Sequence, residues 1–241
     1  ASSSEGYGLE GEWERRNLSG RGDTLSLSAR LATLESRIEA AYDRPNVGRY
    51  GRDYRLSADL ENFETDAFDQ RGGGVHLRLQ EQVTPRFLGS IGVEATYASI
   101  RDQRSRALSQ NRRNIYLLSA PITGEYVGVR DILDPRNGVR ARLAVEPGVT
   151  FGDSRVGFTR VSGETSLYGD LLGERLTGAV RARLGALYGG AGVPPDRLFF
   201  AGGGGSVRGY EFQSLSPRGP DGALTGGRSL IETSAELRWR S

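Results

Sequence analysis

His76 is the first residue to consider for bond chemistry, because it is the only histidine in a chain without cysteine. A histidine acts as a general base when a nucleophile and an orienting carboxylate lie within hydrogen-bond reach. Asp59 or Glu61 could orient His76, but the sequence contains no Gly-x-Ser-x-Gly nucleophile motif. Thiolate sites and multi-histidine metal clusters are excluded by composition. We therefore predict no catalytic residue, no metal site and no cofactor, and interpret His76 as a hydrogen-bonding residue of a polar interior.

A glycine-rich segment is the second candidate, and it runs Arg-Leu-Phe-Phe-Ala-Gly-Gly-Gly-Gly-Ser-Val-Arg-Gly-Tyr from Arg197 to Tyr210. A phosphate-binding loop needs a following lysine and a helix, whereas this chain has no lysine and no helical period. The Gly-Gly-Gly-Gly-Ser run also matches a flexible linker, but the aromatic residues on either side favour a structured loop. Arg21-Gly22-Asp23, an adhesion-like tripeptide, is better interpreted as a turn.

Composition excludes two further classes of protein. The 32 basic residues face 30 acidic ones, for a net charge of +2, which gives no reason to expect a nucleic-acid partner. No apolar run approaches the roughly 18 residues of a membrane-spanning helix.

Apolar and polar residues alternate along most of the chain, which is the period of a β-strand. From Ser229 to Arg240 one face carries Ile231, Ala235 and Leu237, and the other carries glutamate and arginine. The same alternation recurs in the segments around residues 54–61, 75–80, 139–146 and 176–188. Turn residues separate these segments. We predict about eleven or twelve antiparallel strands joined by hairpins in one domain, residues 1–241, with short turns at one end and a long loop, residues 189–228, at the other.

Alternation alone leaves open whether the apolar face meets lipid or a protein core, since a soluble sandwich also alternates. A sheet of this size has long exposed edges unless it closes, and a charged opposite face suits a hydrated barrel interior. These two arguments favour a transmembrane β-barrel with a polar lumen and an apolar exterior. The arginines expected to face the lumen are Arg140, Arg142, Arg181, Arg183, Arg238 and Arg240.

Several motifs together resemble the outer-membrane insertase superfamily, and within it the TamA-like branch of the translocation and assembly module. They are the segment from Asp196 to Gly203, the sequence Val207-Arg208-Gly209-Tyr210, and the segments around Gly226–Leu230 and Glu236–Trp239. The hairpin Asp131–Gly138 is also similar to that branch. At barrel level the resemblance covers nearly the whole chain.

The resemblance implies a sixteen-stranded barrel whose sixth outer loop folds into the lumen, with Arg208 paired to acids of the inner wall. By this resemblance we expect the chain to depart from the pattern, because it would begin near the first barrel strand, lack the POTRA domains, and stop before the last strands, which should include the usual acidic partner of that arginine. Glu232 and Glu236 are the substitute partners that we predict. We also expect that the shortened sheet could close as a smaller barrel.

The function implied by the resemblance is assembly, in which the barrel assists insertion or translocation of outer-membrane and autotransporter clients. The location would be the bacterial outer membrane. The partners would be outer-membrane lipid, client β-barrel proteins and an inner-membrane or periplasmic protein. The alternatives are a passive or engineered pore-forming barrel without assembly activity, and a soluble binding sandwich.

Overall fold

The computed structural model describes residues 7–102, 112–172, 175–219 and 222–239. Twelve strands form one antiparallel sheet, which confirms the predicted fold class. They are β1 (Gly8–Arg16), β2 (Thr24–Ala32), β3 (Glu35–Arg44), β4 (Arg52–Glu64), β5 (Phe68–Thr84), β6 (Phe87–Asp102), β7 (Arg113–Ser119), β8 (Ile122–Val127), β9 (Gly138–Gly152), β10 (Gly157–Asp170), β11 (Leu176–Gly189) and β12 (Ser229–Trp239). The one helix among the described residues is a single 3-10 turn, Pro195–Arg197, and no described helix could span a membrane.

β7 and β8 occupy one position in the sheet, because both pair with β6 and β9. The register continues across the break, since Ser119 lies opposite Glu94 and Ile122 lies opposite Ile91. Pro121 interrupts the strand because proline has no N–H to give to the ladder. Its carbonyl still accepts the Gly92 N–H at 2.8 Å, so the wall stays continuous. The twelve strands therefore fill eleven positions.

The apolar face of the sheet lies outside, as the barrel prediction required. Leu143, Val180, Leu184 and Ile231 are between 50% and 79% exposed. The residues between them point to the other face, where charged side chains pair across neighbouring strands. A soluble sandwich would bury these apolar residues between two sheets, and this arrangement rules it out.

Short turns lie at both ends of the sheet, because residues 33–34 and 65–67 reverse the chain at the same end as the long β11–β12 connection. At the other end, the β1–β2 connection shows how local sequence fixes a reversal. Asn17, Gly20 and Gly22 adopt positive φ values of 56°, 77° and 74°. The carboxylate of the buried Asp23 accepts the Ser19 N–H at 2.9 Å. That hydrogen bond lowers the pKa of Asp23, although burial opposes the shift.

The sheet is open along one seam in the described residues. β1 pairs with β2 alone and β12 pairs with β11 alone. The expected closure into a smaller barrel is therefore not observed, and the two edge strands keep one unpaired side each. All nine residues of β1 are exposed.

Candidate functional site

The long connection between β11 and β12 folds back against the inner wall; we call residues 190–228 the inner loop. Three of its residues, Val193, Leu198 and Phe199, are buried in one cluster with residues of β7, β10 and β11. The wall contributes Leu117, Phe158 and Leu187 to this cluster. The inward-folded loop that the resemblance implies is thus present, and an apolar contact holds it.

A glycine in the wall makes room for the loop. A Cβ on Gly185 of β11 would lie 2.4 Å from ring carbon Cε1 of Phe199. Arg160 of β10 covers the ring, with its guanidinium carbon 4.5 Å from the centroid. The Arg160 Nε–H also donates to the carbonyl of Arg197 at 3.1 Å. Arg160 therefore holds both the Phe199 ring and the backbone of Arg197, two residues earlier in the chain.

Arg197 is the charged anchor of the inner loop. Its Nε lies 2.9 Å from Oε1 of Glu146 on β9, its NH1 lies 3.1 Å from Oδ2 of Asp196, and its NH2 lies 3.8 Å from Oε2 of Glu94 on β6. The Nε–H does not point along the line to Glu146, so this contact is an ion pair without an aligned hydrogen bond. Burial opposes the charge of Arg197, but Asp196, Glu146 and Glu94 outweigh it and raise the pKa. Three carboxylates thus surround one cation whose side chain is 19% exposed.

The anchor continues into a network of side chains on the wall. His76 on β5 lies between two acids, with Nε2 2.7 Å from Asp59 Oδ1 and Nδ1 3.8 Å from Glu94 Oε1. Arg37 of β3 binds the same Asp59 oxygen at 3.0 Å. The network borders a polar cavity of about 650 Å³. His76 therefore lies in a polar, hydrogen-bonded interior.

Arg208 is not held tightly at the wall as the resemblance implied. It is exposed, and among the described residues it forms no direct hydrogen bond to Glu232 or Glu236, although its charge acts on the Glu236 carboxylate. Glu232 instead binds Arg183 at 2.7 Å and the hydroxyl of Ser206 in the same loop. The expected direct pairing with Glu232 is therefore not observed, and the interaction with Glu236 stays a prediction. Of the other motif residues, Gly209 and Tyr210 are exposed and Val207 is partly exposed.

The arginines predicted to face the lumen lie on the charged face wherever the structure describes them. Arg181 and Arg183 bind Glu164 at 2.9 and 3.5 Å. Arg140 lies 3.7 Å from Glu125. Arg142 lines a small pocket with Arg160 and Glu164, and Arg238 binds Glu236 at 2.9 Å. Arg240 lies outside the described residues.

A family model for the Omp85 superfamily domain matches residues 17–241. The chain belongs to the Omp85 superfamily. A crystal structure of BamA from Haemophilus ducreyi lacking POTRA domains 1–3 is similar, with 19% identity and a TM-score of 0.86. CdiB from Acinetobacter baumannii is 14% identical, with a TM-score of 0.51. Each match covers all of this Omp85 chain and 52% of the other, so the chain spans about half the length of either structure. At these identities the likeness shows the fold.

Sequence reasoning missed Arg197, Glu94 and Glu146 as a site. The alternation of the strands assigns both glutamates to the polar face, so half of the signal was present. A loop has no regular alternation of polar and apolar residues. The sequence therefore does not show which of Arg197 and Arg208 contacts the wall.

Proposed function

We propose that this chain is the outer-membrane barrel part of a TamA-like assembly factor that assists insertion or translocation of β-barrel and autotransporter clients. It would act without bond chemistry. The observation that carries the proposal is the inner loop pinned to the wall by Arg197, in a chain of the Omp85 superfamily whose apolar face is turned outward. The motif residues Asp196–Tyr210 and the hairpin Asp131–Gly138 support the TamA-like branch.

The mechanism that we propose is templating by an edge strand. A strand with unpaired N–H and C=O groups can add an incoming strand by main-chain hydrogen bonds. β1 has such an edge in the described residues, with an exposed apolar face at Leu9 and Trp13 and an acidic face at Glu10, Glu12 and Glu14. The inner loop would brace the wall while the edge exchanges partners.

The test uses the full-length protein in lipid vesicles with a β-barrel client, and follows client assembly by protease protection. These 241 residues contain no cysteine, so a cysteine introduced among them is the only thiol in this part of the protein. Gly11→Cys on β1 should crosslink to a cysteine in a client strand during assembly, whereas Leu143→Cys on the outer face of β9 should not. Assembly that proceeds without any crosslink at residue 11, or with equal crosslinking at residue 143, would contradict edge templating.

A passive pore is the second candidate, and the polar cavity of about 650 Å³ inside the wall favours it. A hydrated, charged lumen of this kind conducts ions in porins. Steady single-channel steps in a planar bilayer, together with no effect on client assembly, would support the pore over the assembly factor.

A further inference from the structure

The outer face of the sheet carries a groove across β3 to β7 and β9. It has a volume of about 1,020 Å³ and is lined mostly by apolar side chains. Its floor is made of small residues, Ala58, Gly73 and Ala95, and its sides include Leu60 and Tyr97. The groove is open on its outer side, so this volume describes a surface depression and not an enclosed cavity.

Close packing of the backbone keeps the groove in place. A Cβ on Gly73 would lie 2.3 Å from the carbonyl oxygen of Asp59 and 2.8 Å from Cδ2 of Leu60. A Cβ on the neighbouring Gly72 would lie 2.1 Å from the carbonyl oxygen of Tyr97. A larger residue therefore does not fit at Gly73, which lies opposite Leu60 on the outer face. Gly72 points to the opposite face, and its contact shows only how closely β5 and β6 pack at this level.

One side of the groove is fixed by aromatic rings. The rings of Tyr97 and Tyr116 lie 5.2 Å apart. The Tyr97 hydroxyl donates to Oδ1 of Asn114 at 3.0 Å. This wall is therefore formed before any ligand arrives.

A single arginine, Arg71, lines the groove toward the end of the sheet that bears the inner loop. It is exposed on the apolar face, opposite Asn62 in the register. Its Nε–H donates to Oδ1 of Asn62 at 3.0 Å, which orients the guanidinium. Among the described residues its two terminal amino groups make no hydrogen bond. Glu64 and Asp69 face each other two residues further toward the strand ends.

We propose that this groove binds a phosphorylated membrane lipid, with an acyl chain over Gly73 and the phosphate on Arg71. A cation on a lipid-facing strand is unfavourable unless a polar group meets it. The planar guanidinium suits a phosphate because two N–H groups can bind two oxygens. The small residues beneath give the chain a recess that the surrounding apolar wall lacks. This site is separate from the inner loop and from the edge of β1, so it does not depend on the proposed assembly function.

The test is native mass spectrometry of the purified full-length protein in detergent, titrated with phosphatidylglycerol or with diacylglycerol of the same chains. We expect one phosphatidylglycerol to be retained more tightly than diacylglycerol. Arg71→Gln should lower the phosphatidylglycerol affinity about tenfold, as for the loss of one charge-assisted hydrogen bond, and remove the preference. Ala58→Leu should fill the recess and weaken both lipids.

Matched controls separate a site from general lipid contact. Arg155→Gln removes an exposed arginine of the β9–β10 loop, and Ala141→Leu enlarges an outward residue of β9 that does not line the groove. Both should retain wild-type binding, and inorganic phosphate alone should not compete. Equal retention of the two lipids by the wild type, unchanged binding in Arg71→Gln, or an equal loss in the controls would overturn the proposal.

Discussion

Removing Arg197 should release the inner loop from the wall. The change Arg197→Ala leaves Glu146, Asp196 and Glu94 facing one another, with side chains only 15%, 24% and 19% exposed. Removal of one partner from a buried ion pair costs about 3–5 kcal/mol, because the remaining charge is uncompensated. Water reaches 19% of the Arg197 side chain, so we take the lower end of that range. A cost of about 3 kcal/mol corresponds to a roughly 150-fold change in the loop's opening equilibrium.

The assay is the labelling rate of a single buried thiol. Val193→Cys places the thiol in the apolar cluster, where Val193 is 0% exposed. When the loop recloses faster than the thiol reacts, the rate reports the population of the open form. We expect Arg197→Ala to raise the rate by about two orders of magnitude, and Arg197→Lys to raise it less.

Arg208→Ala is the matched control, because it removes an exposed arginine from the same loop. Its labelling rate should remain within about threefold of the parent, as for a surface substitution. An unchanged rate in Arg197→Ala, or a larger increase in Arg208→Ala, would refute the assignment of the anchor. Retained heat-modifiable mobility on gels would show that each variant is still a folded barrel.

Three further outcomes follow from the charges and faces of the sheet. Arg183→Ala should cost about 1.5–3 kcal/mol in urea unfolding, because Glu232 loses its charged hydrogen bond, whereas an unchanged midpoint would contradict the pairing. Since the pKa of Asp23 is lowered, its bond to Ser19 should stabilise the β1–β2 turn at any pH above the ordinary carboxyl pKa. This stabilisation should be lost as the pH falls through the folded-state pKa, and hydrogen exchange of the Ser19 amide should then become faster. Asp23→Asn should abolish this pH dependence. Leu184→Arg places a charge on the lipid face, whereas the neighbouring Arg183 lies on the charged face. The substitution should lower the free energy of unfolding by about 2–4 kcal/mol if it lies near the bilayer midplane, and an unchanged stability in lipid would argue against an outward apolar face.

The faces of the strands were predictable because apolar and polar residues alternate with a two-residue period, whether the apolar face meets a protein core or lipid. Ile231 and Glu232 alternate in the sequence, and the structure places them on opposite faces as expected. The paired strands and hairpins follow from the same two-residue repeat. The break at Pro121 was not predicted. Proline gives no N–H to the ladder, but the register of β7 continues into β8, so the alternation of residues on either side shows no interruption.

The contacts of the inner loop could not be predicted in this way. Arg197 and Arg208 carry the same group in one irregular segment, and their different fates depend on packing. Positive φ values of 110° at Gly202 and 99° at Gly203 redirect the chain between the two arginines. The part of the loop before this bend faces the wall, whereas Arg208 beyond it is exposed.

We predict that the glycine beneath Phe199 also keeps Arg197 at the wall. In Gly185→Ala the new Cβ would lie 2.4 Å from the Phe199 ring, so the ring must shift and carry Arg197 with it. The Val193→Cys labelling rate should rise as in Arg197→Ala. The double variant should fall short of the product of the two effects, because both changes disrupt one shared contact. Gly163→Ala on β10 is the control, since its Cβ would meet nothing closer than 3.8 Å. Fully multiplicative effects would show that the aromatic seat and the charged anchor act independently, contrary to this explanation.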